Sequence, residues 1–218
     1  MTNITTDAAL LQDLLRQGAA TLQLDLDEDT VAKLISYISL LSKWNSVYNL
    51  TAIRDPAHMV TRHLLDSLTV VPYIKGPKVL DVGTGAGLPG IPLALVLPNC
   101  KVVLLDSSSK KTRFVTQAAT ELGLSNVTME TVRVENYRPV QGFDTVISRA
   151  FAKVSDMLTV THHLCQPDGQ WLAMKGTYPE QEIQALPPQF SATVHAVRVP
   201  GLDEQRHVVC IEQTNPTR

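Results

Sequence analysis

The chain is poor in the features that would announce a special class of protein. It has 3 cysteines, Cys100, Cys165 and Cys210, an odd number with no close spacing. That argues against a disulfide framework and a cysteine-rich zinc site. His162 and His163 are adjacent and cannot converge on one ion, so no metal is expected. No run approaches the roughly eighteen apolar residues of a membrane span. The start MTNITTDAALLQD has neither a basic opening nor an apolar core of signal-peptide length. A soluble, cytoplasmic protein is expected, without a membrane partner. The net charge is only −2, so no global basicity points to nucleic acid. Internal repeats and low-complexity segments are missing too.

What remains is an ordinary globular composition. The 218 residues are 44% hydrophobic and 18% charged, enough for a sizeable core. Charge is nonetheless uneven. Residues 7–29 hold Asp7, Asp13, Asp25, Asp27, Glu28 and Asp29 against Arg16. Residues 30–77 hold Lys33, Lys43, Arg54, Arg62 and Lys75 against Asp55 and Asp66. A locally basic segment suits an anionic partner, but also a solvated helix face.

Two regions differ in hydrophobic period. From Asp27 to Tyr48, Val31, Leu34, Ile35, Ile38, Leu41 and Val47 follow a helical repeat, with Asp27 as N-cap. A shorter helix from about Asp7 to Gln17 precedes it, stopped by Gly18. Another begins near Pro56 and runs through RHLLDSLTVV towards Pro72. Residues 1–76 are therefore expected to form a helical cap, and 77–218 a second domain.

After Gly76-Pro77, short apolar runs alternate with helical stretches. The runs are 78–82, 101–106, 127–134, 143–148, 170–175, 193–199 and 207–212. Helices are expected at Ile91–Leu97, Lys110–Leu122 and Val154–Leu164, with a shorter one around 135–140. Apolar strands with crossover helices imply an α/β fold with a mostly parallel sheet covered on both faces. Only GLDEQR separates most of the last two runs, too short for a helical crossover, so they should close the seven-stranded sheet as an antiparallel hairpin.

DVGTGAGLPG, residues 81–90, follows the first strand directly. A strand, a glycine-rich turn and a helix let backbone approach a ligand. Gly85, Gly87 and Gly90 formally match a dinucleotide fingerprint, the mark of a NAD-dependent oxidoreductase. The strand ends at Val82, however, so the turn should start at Gly83, and Leu88 then sits where the third glycine belongs. Asp81 opposes a pyrophosphate at this place but suits the sulfonium and ammonium of S-adenosylmethionine. Asp106 ends the second strand, where a carboxylate can accept both ribose hydroxyls. Asp81, Gly83, Gly85 and Asp106 therefore favour a methyltransferase over a dehydrogenase; a binding module without turnover is the third class.

The acceptor is constrained by missing devices. Ser148-Arg149-Ala150-Phe151 follows the fourth strand without the cysteine that cytosine carbon-5 methylation uses. It also lacks the Asn/Asp-Pro-Pro-aromatic loop common in adenine amine methylation. A lone-pair nitrogen such as guanine N7 needs neither, because positioning alone can bring nitrogen, methyl and sulfur in line.

LSKWNSVYNLT (41–51), RDP (54–56), RHLLDS (62–67), DVGTGAGLPGIPL (81–93), LLDSSSKK (104–111), RVE (133–135), FDTVISRAFA (143–152), LAMKG (172–176) and DEQRHVV (203–209) closely resemble one family in order and spacing. It is the bacterial 16S ribosomal RNA guanine-N7 methyltransferase G family, also called glucose-inhibited division protein B. The resemblance implies a class I, Rossmann-like fold using S-adenosylmethionine on a guanine in the decoding-region loop of the small subunit. Gly83, Leu88, Asp106, Val134, Glu135 and Arg149 then fall at the cofactor, with Arg149 the candidate for any role beyond positioning. Lys43, Asn45, Arg62, His63 and Asp66 become candidates for RNA contact, and Trp44 is expected in the core. The partner would be 16S ribosomal RNA or the small subunit, with a monomer expected. The same chemistry on another RNA, a protein or a small molecule is the alternative.

Overall fold

A computed structural model describes residues 3–214; the ends of the two expected domain ranges lie outside it. Three helices come first. α1 spans Asn3–Thr21 and α2 spans Glu28–Tyr48. The Asp27 side chain caps α2 by accepting from Thr30 N at 2.7 Å, as its sequence position suggests. α3, residues 56–68, is α-helical over Pro56–Met59, π-helical over Val60–Leu65 and α-helical again over Asp66–Leu68. Asp55 caps its start through His58 N at 2.8 Å.

The sheet follows. β1 is Lys78–Val82, α4 Gly90–Val96, β2 Lys101–Asp106, α5 Ser109–Glu121 and β3 Val127–Thr131. Then come β4 Phe143–Ser148, α6 Val154–Thr161, β5 Cys165–Lys175, α7 Glu180–Gln184, β6 Phe190–Val197 and β7 Arg206–Gln213. The strand order is β3-β2-β1-β4-β5-β7-β6. β1 to β5 pair in parallel, while β7 pairs antiparallel with both β5 and β6. Between β1 and β4 the chain direction of winding reverses, and the carboxyl ends of those two strands bound a crevice.

Alternate residues of each strand feed two cores, as the pleat requires. Val79, Leu104, Ile147 and Leu172 face α2 to α5; Leu80, Leu105, Val146 and Trp171 face α6. The first three helices thus share a hydrophobic core with the sheet. Tyr37 of α2 adds a polar tie, its buried hydroxyl donating to Ala86 O in the glycine loop at 2.7 Å. Tyr37→Phe leaves that buried carbonyl unpaired, and an expected loss of about 1–2 kcal/mol is readable by urea unfolding. A weaker hold on the loop should raise the Kd for S-adenosylhomocysteine in the same protein.

Some expected boundaries moved. α1 runs straight through Gly18, because that residue serves close packing instead of termination. A Cβ there would lie 2.4 Å from Leu65 Cδ1. β3 stops at Thr131, and the chain turns into a 3-10 segment at Val134–Asn136, so Val134 belongs to a loop and not to a strand. β5 begins five residues earlier than its apolar run, and α7 has too few apolar residues to announce itself.

Candidate functional site

Three adjoining cavities lie along the crevice at the switch point. The outer one, about 310 Å³, is lined by Asp106, Lys111, Val134, Glu135, Phe151 and neighbours. The middle one, about 150 Å³, is lined by Thr51, His63, Gly85, Leu88 and Arg149 among others. Gly83 and Ala150 belong to both. The third, about 390 Å³, holds Arg62, Asp66, Lys175 and Arg206, and shares His63 and Arg149 with the middle one. Backbone at the ends of β1 and β4 therefore forms one partition, and two side chains form the other.

The glycine loop is braced from beneath. Gly83 N and Thr84 N donate to Leu105 O at 2.8 and 3.1 Å. Gly83, Gly85 and Gly87 have φ of +70°, +61° and +91°, which L side chains adopt only at a cost. Asp81 is fully buried. Its Oδ2 accepts from Thr84 Oγ1 at 2.6 Å and from Gly90 N at 2.9 Å. Its Oδ1 has no partner among the described residues. Asp81 thus lies at the end of β1, beneath the glycine loop. The carboxylate lines none of the three cavities, and it caps α4 itself. Burial pushes its carboxyl up to about 6, opposed by the bonds from Thr84 and Gly90.

Asp106 is held for presentation. Gly85 N and Ser108 N donate to its two oxygens at 3.0 and 2.8 Å, and Lys111 Nζ lies 4.0 Å away. Its remaining lone pairs face the outer cavity beside the Val134–Glu135 turn. Arg149 reaches back from the end of β4 to Asp66 Oδ2 at 3.2 Å, so it is an ion-paired partition and not a free loop arginine.

His63 sits at that partition, 5% exposed. Its Nδ1 lies 3.1 Å from Arg62 O, a group that can only accept, so Nδ1 carries the hydrogen. Nε2 then accepts from Thr51 Oγ1 at 2.9 Å, and that hydroxyl accepts from Ile53 N. The imidazole has no spare lone pair with which to take a proton. Burial, then the charge of Arg149, pulls its pKa down to about 4. The unfolded imidazole titrates near 6.5. The stability gained by burying it neutral is complete above that value and is lost as pH falls towards 4. His63→Gln removes this dependence. Between pH 7 and pH 5 the wild type is expected to lose about 2 kcal/mol more than the variant, measured by chemical unfolding at each pH.

Of the residues expected to meet RNA, Arg62, His63 and Asp66 converge on the third cavity. Lys43 and Asn45 do not. Lys43 is exposed on α2 away from the three cavities. Asn45 is buried, accepting from Thr51 N at 2.9 Å and donating to Ile53 O at 3.2 Å, so it shapes the loop that carries Thr51. Trp44 packs on Phe114 and Tyr48 as part of the core. Lys175 and Arg206 were missed. Their segments match the family's motifs, but only the β5–β7 pairing brings them to one cavity, where Arg206 meets Asp66 and Lys175 meets Glu182.

Solved structures of other proteins share this fold in outline. A putative O-methyltransferase from Klebsiella pneumoniae superposes with a TM-score of 0.58 at 14% identity, covering 82% of this chain and 90% of that one. TrmN from Thermus thermophilus gives 0.53 at 20% identity, over 71% and 53%. The fold is that of the class I methyltransferases, whose cofactor is S-adenosylmethionine. At the level of sequence the match is far closer. The family model for rRNA small subunit methyltransferase G matches residues 30–209. A protein of that name from Nitrosococcus oceani is 49% identical over 199 residues, 91% of this chain and 93% of its own. One from Pseudomonas aeruginosa is 48% identical over 204 residues, 93% and 95%. With the motifs, the sheet order and the cleft in agreement, the chain belongs to the rRNA small subunit methyltransferase G family.

Proposed function

We propose that the protein transfers the methyl group of S-adenosylmethionine to N7 of one guanine in 16S ribosomal RNA, in the decoding-region loop. The observation that carries this reading is the family match over residues 30–209. The cofactor supplies an electrophilic methyl; the protein's part is to bind, orient and exclude water.

The donor set fits the cofactor in kind. Asp106, with lone pairs free towards the outer cavity, would hold the ribose, and Val134 and Glu135 would border the adenine. Backbone at Gly83, Gly85 and Leu88 would hold the amino-acid end. The unpartnered Asp81 Oδ1 beneath that loop supplies a buried negative charge suited to a cation. Arg149 and His63 would separate the methyl donor from the acceptor. Their chemistry agrees with a lone-pair acceptor: Arg149 cannot take a proton, and the His63 lone pair is bonded to Thr51. Guanine N7 asks for no base.

Residues 1–76 would present RNA and residues 77–218 bind the cofactor. The protein would act in the bacterial cytoplasm as a monomer; no helix among the described residues is long and apolar enough to cross a membrane. The test is methyl transfer to purified small subunits lacking the mark, followed by mapping of the modified base. N7-methylguanine in the decoding-region loop supports the proposal. Methyl incorporated elsewhere, or into another RNA or a protein, overturns the acceptor while leaving the cofactor.

A further inference from the structure

At the rim of the third cavity, two arginines from distant parts of the chain grip one carboxylate. Arg62 of α3 donates from Nη1 to Glu204 Oε2 at 2.9 Å and from Nη2 to Oε1 at 2.5 Å. Arg206, the first residue of β7, donates from Nη2 to Oε2 at 3.0 Å. Glu204 lies on the loop between β6 and β7, and its side chain is 49% exposed. Arg62 and Arg206 are 37% and 24% exposed. A forked guanidinium on one side and a second on the other is the arrangement in which arginines hold a phosphate. Here the anion is part of the protein.

We propose that Arg62 and Arg206 form a binding site for an RNA backbone phosphate, and that Glu204 occupies it in the RNA-free protein as a displaceable stand-in. The proposal rests on the RNA reading above and extends it to a named pair of residues. Three observations support it. Both arginines line the cavity that adjoins the middle one across His63 and Arg149, so a phosphate held there would flank a nucleotide reaching that partition. Asp66 balances Arg149 and Arg206 from inside, at 3.2 and 3.1 Å, and stays in place when Glu204 leaves. Arg62 has no such second carboxylate among its hydrogen-bond partners, so it is the cation that Glu204 chiefly neutralises.

The exchange is energetically accessible. A solvent-exposed ion pair contributes little, because water screens it and two long side chains are immobilised to make it. A phosphate of a polyanion brings in addition the release of its condensed counterions. The stand-in would keep the two guanidiniums ordered and raise selectivity, since an isolated anion must compete with an intramolecular one.

Binding of a 16S ribosomal RNA transcript at low salt, with S-adenosylhomocysteine present, tests the idea. Glu204→Gln is expected to bind three- to tenfold more tightly than the wild type. Arg62→Gln should bind more weakly, with the slope of log K against log[salt] smaller by about 1. In the Arg62→Gln background the gain from Glu204→Gln should shrink. Glu121→Gln on α5 changes net charge equally and should leave affinity unaltered. Unchanged or weaker binding by Glu204→Gln overturns the proposal, as does an equal gain in both backgrounds or from Glu121→Gln. Wild-type methylation of small subunits is measured alongside: if it succeeds while these results fail, only the phosphate site is wrong. If the wild type methylates no guanine N7, the functional reading itself has failed.

Discussion

Calorimetry on the Gly83→Val protein is expected to show no heat of S-adenosylhomocysteine binding, a loss of at least about a hundredfold. Gly83 holds φ at +70°, and a Cβ built on it lies 2.9 Å from Ala150 Cβ. These two residues are shared by the outer and middle cavities. A branched side chain there stands on the border that a ligand spanning both cavities would cross. The left-handed backbone adds a strain of about 1–2 kcal/mol, so folding is to be checked by circular dichroism and thermal unfolding. Gly85→Ala is the companion. Its φ is also positive, but a Cβ meets only Gly83 O at 3.9 Å. That variant should show strain with much smaller loss of affinity. Retained binding by Gly83→Val would remove the cofactor from this border.

Asp81 offers the second large effect, and its two substitutions should part company. Asp81→Ala strips the acceptor from two buried donors, Thr84 Oγ1 and Gly90 N. Their desolvation without compensation costs about 2–4 kcal/mol, and the glycine loop loses its brace. Asp81→Asn keeps an acceptor oxygen for both. It also removes a charge whose burial is costly: the folded carboxyl titrates near 6, against 3.8 in the unfolded chain. Below about pH 3.8 that group costs the fold nothing; as pH rises through 6 the ionised form becomes a full penalty. Asp81→Asn is therefore expected to unfold at the same or a higher temperature than the wild type at pH 7.5. Its affinity for S-adenosylmethionine should nonetheless fall roughly tenfold, about 1.4 kcal/mol. S-adenosylhomocysteine, lacking the sulfonium, should lose less. Equal losses for both ligands would mean that the buried charge acts only through loop geometry.

The parts of this architecture legible in the sequence are those with one dominant cause. β1, β2 and β4 coincide with their apolar runs, since strands buried on both faces must be continuously apolar. Asp27 caps α2 because a short side chain ahead of a helix reaches its free N–H groups. Where two causes compete, the sequence is ambiguous. Gly18 can end a helix or let another side chain approach, and only the position of Leu65 decides. Asn45 in a basic segment looks like a polar contact until its partners, Thr51 and Ile53, are seen to be local backbone. The Asp66 cluster draws Arg149 and Arg206 from strands far apart in sequence, and no spacing rule announces that. Asp81 was singled out for its sign, and the sign remains its interest; its place under the loop depends on Thr84 and Gly90.

The π-helical stretch Val60–Leu65 lends α3 a property that a regular helix lacks. Such a turn accommodates one residue more than an α-helix allots to the same rise. Deleting one residue from it would restore an ordinary helix and leave the residues beyond it near their present orientation, because the wider turn is what absorbs the extra residue. Asp66 would keep its place between Arg149 and Arg206. What would move is the turn itself, and with it Arg62 and His63, which the π stretch carries. The irregularity therefore works as a local adjustment: it sets the aim of two side chains at the third cavity without disturbing the anchor that follows them.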